Sequence, residues 1–381
     1  MSLDLLVPVP DETIASIGLL PKQIIGKTIP IHTHDQGLPE IKNVDIAIIG
    51  VSEIRNAFFP TSNYALHDFR KAFYQLYPGN WNIKLTDLGD LPNGERVEDT
   101  YFALQEICKH LRQMNVLPIV IGGSHDLIYP MYRSYSSGNQ LVNIVSIDSQ
   151  FDFSQQEELI SGRSYMSKII MEQPNMLYNF TNIGYQSYYI AQEELDLMDK
   201  LFFESYRLGT FSNEVANAEP LIRDADIVSI DMKALSWQST GDPNGLPNGI
   251  DSKTICALAR YAGISDRLTA FGLFELPSTS IFHQLLSQIV WYFIEGVNLR
   301  FGEYPVLTSQ GYKRYTVTLS DRDLVFFQSE ISERWWVEIT NENYLDNKSK
   351  TTALLSCNRK EYEDACNDIL PERWWKATKR G

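Results

Sequence analysis

The chain has 381 residues, of which 44% are hydrophobic and 21% charged, a composition typical of a soluble globular protein. Its formal net charge is −15 and no cluster of Lys and Arg stands out, which argues against nucleic acid as a partner. No stretch approaches the roughly 18–20 apolar residues of a membrane span, and the amino terminus lacks a signal-peptide pattern. The four cysteines have no CxxC spacing and indicate reduced thiols. We therefore expect a cytoplasmic protein with no membrane partner.

The chain divides by composition into three parts. Residues 1–43 contain five prolines and little periodicity, so we expect an irregular amino-terminal arm. Over residues 44–307, short apolar runs alternate with amphipathic runs of helical length, beginning with a strand candidate at 44–51 and a helix candidate at 64–77. Strands separated by helices imply parallel βαβ units in a doubly wound sheet. Residues 308–381 contain alternating runs that predict a small β-rich appendage.

Three of the predicted strands are followed by short polar segments. The segments are Gly122-Gly123-Ser124-His125-Asp126, Asp148-Ser149-Gln150-Phe151-Asp152 and Ser229-Ile230-Asp231-Met232-Lys233. The carboxyl ends of strands are where ligands bind in open parallel α/β sheets. Each segment alone could be a structural turn. Three of them in order, each ending a predicted strand, are a more specific pattern and predict a polar site at this edge of the sheet.

Taken together, the segments resemble the metal-binding signatures of the ureohydrolase family, which includes arginase, agmatinase and formimidoylglutamase. In that family they read Gly-Gly-Asp-His, Asp-Ala-His-x-Asp and Ser-x-Asp-x-Asp. The resemblance implies a three-layer α/β/α arginase-type fold with a doubly wound parallel sheet, on which the C-terminal β-rich appendage packs. It also implies metal-dependent hydrolysis of a non-peptide C–N bond in a guanidine, amidine or formimino ligand, and a homo-oligomer.

The resemblance also implies the metal ligands, residue by residue. Members of the family hold two manganese ions, and one of these would be bound here by His125, Asp148, Asp152 and Asp231. The second ion needs a His and an Asp at positions that hold Gln150 and Lys233 in this chain. A protonated lysine has no lone pair and cannot ligate. We therefore expect one divalent ion, manganese first among the candidates, and no second ion.

The charge of Lys233 suggests how the altered half of the site is balanced. Its ammonium would partly neutralise Asp148 and Asp231, so we expect an ion pair with one of them. A site with no metal at all, in which Lys233 bridges the carboxylates, is the alternative.

Two further segments bear on activity. Phe274-Glu275-Leu276-Pro277 resembles the substrate-binding segment of the family, in which the carboxylate receives the guanidinium-like group. The resemblance thus makes Asp148, Asp231 and Glu275 the expected catalytic residues. Tyr165 stands where arginases have a proton-shuttling His, and a phenol is a poor shuttle at neutral pH. Two hypotheses follow: a hydrolase with one metal site lost, or a catalytically inactive pseudoenzyme that acts as a binding or interaction protein.

Overall fold

A computed structural model describes residues 2–57, 66–136, 140–153, 160–211, 214–305, 310–320, 322–340 and 352–380. Its main feature is an eight-stranded sheet in the order β2-β1-β3-β8-β7-β4-β5-β6. The strands are β1 (Ile46–Val51), β2 (Leu85–Leu91), β3 (Leu117–Ile121), β4 (Val142–Ile147), β5 (Leu177–Tyr185), β6 (Glu204–Arg207), β7 (Ile227–Asp231) and β8 (Ala270–Phe274). All neighbouring strands of this sheet run parallel, which confirms the predicted doubly wound topology.

Helices cover both faces of the sheet, and the last two helices of the chain pack in the carboxyl-terminal region. In chain order they are α1 (Asp11–Ser16), α2 (Ile25–Thr28), α3 (Leu66–Tyr74), α4 (Val97–Gln113), α5 (Ile128–Arg133), α6 (Tyr165–Met171), α7 (Gln192–Lys200), α8 (Leu208–Phe211), α9 (Glu219–Arg223), α10 (Trp237–Thr240), α11 (Ser252–Ile264), α12 (Ser280–Asn298), α13 (Arg359–Cys366) and α14 (Glu372–Lys379). Of these, α12 is the longest, yet among the described residues no helix is long and apolar enough to cross a membrane.

The two faces of the sheet form separate hydrophobic cores. Along β1, Ile46 and Ile48 pack in one core with residues of α3, α11 and α12. Ala47 and Ile49 pack in the other core with residues of α4, α5 and α6. Because successive side chains of a strand point to opposite faces, a strand buried on both sides must be apolar throughout. The three-layer α/β/α architecture predicted from the sequence is therefore confirmed.

The amino-terminal residues run along the β1–β2 end of the sheet. They contain the short helices α1 and α2, and isolated bridges join Val7 to Asp90 and Ile31 to Asp87. The fully buried Arg70 donates to Asp87 at 2.9 Å and to Asp90 at 2.8 Å beneath this segment. The segment is thus more regular than the irregular arm predicted from its prolines.

The carboxyl-terminal region contains a second sheet, which is antiparallel and ordered β12-β11-β10-β9. Its strands are β9 (Tyr312–Thr318), β10 (Asp323–Ser329), β11 (Trp335–Thr340) and β12 (Thr352–Cys357). This sheet confirms the predicted β-rich appendage, although α13 and α14 were not predicted. The predicted boundary after residue 307 falls within 306–309, outside the described residues.

The appendage region contacts the β6 edge of the large sheet through ion pairs. Arg373 and Arg380 each donate to the buried carboxylate of Glu204 at 2.8 Å. Burial alone would raise the pKa of Glu204, but these two guanidinium groups lower it to about 2. These two ion pairs attach the appendage region to the edge strand β6.

Candidate functional site

The three polar segments and Glu275 follow the four central strands of the large sheet. In space these strands lie in the order β3-β8-β7-β4, so all four segments are adjacent. They meet at the carboxyl edge of the sheet, where the sequence predicted a polar site. The adjacency brings together residues that are far apart in the chain, such as His125 and Glu275, which are separated by 150 positions.

His125 reaches the site through a turn that requires glycine. Gly122 and Gly123 have φ values of 102° and 78°, in the left-handed region that favours glycine. A Cβ on Gly123 would lie 2.2 Å from Leu127 Cδ1 and 2.7 Å from the Glu53 carbonyl oxygen. The turn therefore admits no side chain there, and it delivers the His125 imidazole fully buried beneath the carboxylates.

Three carboxylates converge on the Nδ1 atom of His125. The Oδ2 atom of Asp148 lies at 3.2 Å, that of Asp152 at 3.3 Å and that of Asp231 at 3.9 Å. Despite these short distances, His125 Nδ1, Asp148 Oδ2 and Asp152 Oδ2 are buried atoms with no hydrogen-bond partner among the described residues. Buried polar atoms are normally satisfied. Three unsatisfied ones facing a common point fit a divalent ion, for which imidazole nitrogen and carboxylate oxygen are suitable ligands.

The remaining atoms of these side chains are held by the protein. The backbone N–H of Gln150 donates to Asp148 Oδ1 at 3.0 Å, and that of Lys233 donates to Asp231 Oδ1 at 2.7 Å. Each carboxylate thus keeps Oδ2 directed toward the centre. Such anchoring of ligand groups is characteristic of metal sites, whose outer hydrogen bonds fix ligand orientation.

Ser229 fixes the orientation of the His125 imidazole in a similar way. No role was predicted for Ser229 from the sequence. Its hydroxyl, fully buried, lies 3.1 Å from His125 Nε2. When Nδ1 binds a cation, the proton is on Nε2, which then donates to Ser229 Oγ. The only sequence signal was its position as the first residue of the third segment.

Two residues of the site have strained backbones. Asp152 and Glu275 have φ values of 57° and 56°, which non-glycine residues rarely adopt. Conformations of this kind cost on the order of 1–3 kcal/mol each and cluster at functional sites. The surrounding structure therefore holds these two carboxylates in positions that their own backbones do not favour.

Burial makes the metal-free cluster electrostatically unfavourable. Burial first, and then repulsion from the nearest carboxylate, raise the pKa of Asp148 and of Asp231 to about 7. Burial by itself would lower the pKa of His125, but the nearby carboxylates of Asp148 and Asp152 raise it well above its usual value. A bound cation would relieve the same repulsion without requiring protons.

Lys233 and Glu275 form an ion pair at the other end of the cluster. The Lys233 ammonium lies against Glu275 Oε2, while Glu275 Oε1 accepts from the backbone N–H of His125 at 3.2 Å. The sequence predicted an ion pair of Lys233 with Asp148 or Asp231. That prediction named the wrong partner, because β7 and β8 are neighbours and place Lys233 beside the residue that follows β8.

The two other altered positions differ in their surroundings. Gln150 lines the pocket above the cluster, and its backbone carbonyl accepts from Asn182 Nδ2 at 2.7 Å. Tyr165 is completely buried and packs on the His125 ring with centroids 4.8 Å apart. Burial raises the pKa of Tyr165 well above 10, which agrees with its predicted unsuitability as a proton shuttle.

A pocket of about 800 Å³ opens above the carboxylates. Its floor includes Asp148, Asp152, Asp231 and Glu275, and its walls include Arg163 and Tyr189. This volume suits a small molecule. Gly162 borders it closely, since a Cβ there would lie 2.9 Å from Glu275 Oε1.

Comparisons with known proteins agree with the motifs. A model of the Arginase family matches residues 44–277. The chain is 22% identical over 229 residues to a formimidoylglutamase of Halalkalibacterium halodurans, covering 54% of this chain and 69% of that protein. It is 26% identical over 131 residues to the enzyme of the same name from Streptococcus gordonii, covering 32% and 40%. The chain thus spans between 40% and 69% of the length of these curated relatives.

Solved structures show the same fold. The formiminoglutamase of Trypanosoma cruzi, crystallised with Mn²⁺, superposes with a TM-score of 0.60 and 17% identity, covering 69% of this chain and 96% of that one. The Bacillus subtilis formimidoylglutamase gives a TM-score of 0.61 and 13% identity, covering 69% and 91%. At these identities the likeness establishes the fold, and the activity has to be argued from the site.

Proposed function

Because the chain belongs to the arginase family, we propose that it is a metal-dependent hydrolase of a non-peptide C–N bond in a small molecule. The observation that carries the proposal is the set of unsatisfied, buried ligand atoms at the carboxyl edge of the sheet: His125 Nδ1, Asp148 Oδ2 and Asp152 Oδ2. These atoms approach one another within ion-pair distance but without hydrogen-bond geometry, whereas buried polar atoms that serve stability alone are normally hydrogen-bonded.

We propose one divalent ion per chain. The ion would be bound by His125, Asp148 and Asp152. Asp231 would complete the ligand set, since its Oδ2 lies 3.9 Å from His125 Nδ1. Mn²⁺ is our candidate, since a structural neighbour contains it. When bound, such an ion supplies Lewis acidity and lowers the pKa of a coordinated water toward neutrality.

Support for a single ion comes from the other half of the cluster. Gln150 and Lys233 replace the two ligands that a second ion would need, and the Lys233 ammonium is paired with Glu275. The protein residues of the reaction centre are then Asp148 and Asp231, which hold and orient the water-activating centre, and Glu275, which holds Lys233 beside the reacting group. The proposed substrate is of guanidine, amidine or formimino type, in keeping with the family.

The proposal also covers the domain organisation, the assembly and the location of the protein. Residues 44–307 would form the hydrolase unit, with residues 1–43 as an arm and residues 308–381 as an appendage that fixes assembly or covers the pocket. We also propose that the protein is a cytoplasmic homo-oligomer.

A second candidate function is ligand binding without turnover. The Lys233–Glu275 ion pair favours it, because a cation of the chain itself already occupies the carboxylate that would contact the reacting group. In this case the protein would be a pseudoenzyme whose pocket serves recognition or interaction.

Element analysis and product release separate the candidates. Protein purified without chelator, loaded with Mn²⁺ and desalted should retain one ion per chain. A panel of guanidines, amidines, formimino compounds and their ureido analogues is then tested for release of urea, formamide or ammonia. One ion with turnover supports the hydrolase, and one ion without turnover on the whole panel supports the binding protein. Retention of no ion, or of two, contradicts the proposed site.

A further inference from the structure

The Lys233–Glu275 ion pair fixes the polarity of the pocket floor. Both residues line the pocket, and both oxygens of Glu275 are engaged: Oε2 by the Lys233 ammonium and Oε1 by the His125 backbone N–H at 3.2 Å. The side chain of Glu275 is only 6% exposed, whereas that of Lys233 is 39% exposed. A ligand entering the pocket therefore meets the ammonium before the carboxylate.

The pair has little freedom to rearrange. Glu275 sits on a backbone with a φ of 56°, and its Oε1 lies where a Cβ on Gly162 would come within 2.9 Å. On the other side, the Lys233 backbone is tied to Asp231 Oδ1 by a 2.7 Å hydrogen bond. Turning Glu275 toward a ligand would break its hydrogen bond to His125, so the pair persists when a ligand binds.

The other acidic residues that line the pocket are also committed. Asp148, Asp152 and Asp231 are the proposed ion ligands. Asp242 caps its own loop, where its Oδ1 accepts from the Asn244 backbone N–H at 2.9 Å. Among the described lining residues, the four carboxylates beside the cluster thus each have a cationic partner or an assigned ion, and Asp242 is held by its own loop.

From this arrangement we propose that Lys233 determines specificity and that the pocket selects an uncharged, carbonyl-bearing C–N group: a ureido, formamido or carboxamide group. An ammonium offers hydrogen-bond donors and no acceptor, so the ligand atom beside it must be an acceptor such as a carbonyl oxygen. A protonated amidine or guanidinium offers only donors and adds a like charge. The inference rests on the proposed hydrolase function and replaces its guanidine, amidine or formimino substrate with an uncharged C–N group.

Matched ligand pairs that differ only in this group test the proposal. We would measure binding to the Mn²⁺-loaded protein by titration calorimetry for urea against guanidine, citrulline against arginine, and N-carbamoylputrescine against agmatine. In at least one pair the uncharged member should bind at least about ten-fold more tightly, because like charges placed together in a pocket are strongly unfavourable. Lys233→Met should reduce that preference at least about ten-fold.

Two variants serve as controls. Lys233→Arg retains the charge and should keep the preference, and Lys200→Met makes the same substitution at an exposed site on α7 and should change nothing. Lys233→Gln removes the charge while keeping a polar side chain, should Lys233→Met fail to fold.

Three results would overturn the inference: tighter binding of the cations by the native protein, an unchanged preference in both charge-removing variants, or no binding of any pair. The proposed function is judged separately, by ion stoichiometry and product release. A protein that holds one ion and hydrolyses guanidines would therefore contradict the specificity and leave the function standing.

Discussion

The two ends of the carboxylate cluster satisfy their polar atoms in different ways. At the His125 end, a nitrogen and two carboxylate oxygens converge without hydrogen-bond partners among the described residues. At the Lys233 end, an ammonium is in contact with Glu275, and Glu275 is in turn held by a backbone N–H. The first arrangement is incomplete unless a cation binds, whereas the second already contains its cation.

Under the proposed function, Lys233 takes the place of one ion of a two-ion centre. Removing two ligands alone would leave buried carboxylates repelling one another, which is costly in a low-dielectric interior. A lysine supplies positive charge at the same end without needing an ion from solution. The two ends should therefore respond oppositely to chelators, to pH and to substitution.

The largest effect is expected at the His125 end. His125→Ala removes a ligand at the centre of the cluster, and loss of outer-shell partners alone costs metal affinity about 10–100-fold. We therefore expect a loss of Mn²⁺ affinity of more than about 100-fold, measured by competition with a fluorescent chelator. His34→Ala, at an exposed residue of the amino-terminal segment, is the matched control. Unchanged affinity in His125→Ala would mean that any bound ion lies elsewhere.

The next largest effect is expected in the pH dependence of the free energy of unfolding of the metal-free protein. Burial raises the pKa of Asp148 and Asp231 from 3.8 to about 7, so the folded state binds more protons than the unfolded state between these values. Their contribution to stability is present below about pH 4 and is lost as pH rises through about 7. The raised pKa of His125 acts in the same direction. A tenfold difference in proton affinity between the folded and unfolded states corresponds to about 1.4 kcal/mol. We therefore expect the free energy of unfolding to fall by a few kcal/mol over this pH range.

Urea unfolding at pH 5.5, 6.5 and 7.5, with and without Mn²⁺, measures this loss. The stabilisation by Mn²⁺ should grow with pH, because the ion replaces the protons that the carboxylates release. Subtracting the free energy of unfolding without Mn²⁺ from that with Mn²⁺ at each pH cancels the contribution of groups remote from the site. His283 is such a group, and burial lowers its pKa. If the stabilisation by Mn²⁺ stayed constant or decreased as the pH rises, the carboxylates would not be the groups that bind the ion.

The sequence predicts the features of the fold and site that neighbouring residues determine, and it does not predict those that depend on residues far apart in the chain. The strands that carry the three segments were predicted because their apolar runs are continuous and local. The edge strand β6 was missed, since its Glu-Ser-Tyr-Arg sequence is polar and its burial comes from Arg373 and Arg380 far along the chain. The partner of Lys233 was also missed, because Glu275 is 42 residues away and becomes a neighbour only through the strand order.

The smallest expected effect is the restoration of a second ion at the Lys233 end. Replacing Lys233 by Asp and Gln150 by His supplies two ligand groups and removes the ammonium. Their surroundings were not built to orient them, however, and unsupported ligands bind metals weakly. Elemental analysis should therefore show one ion per chain at low Mn²⁺ and approach two only in excess. The matched control, Lys233→Met with Gln150→His, removes the same charge without adding the carboxylate and should remain at one. If the control also bound two ions, the ammonium alone would be what excludes the second ion from the native site. If neither variant bound a second ion, the Lys233 end would have lost more than its two ligands, and its present geometry would be incompatible with a metal.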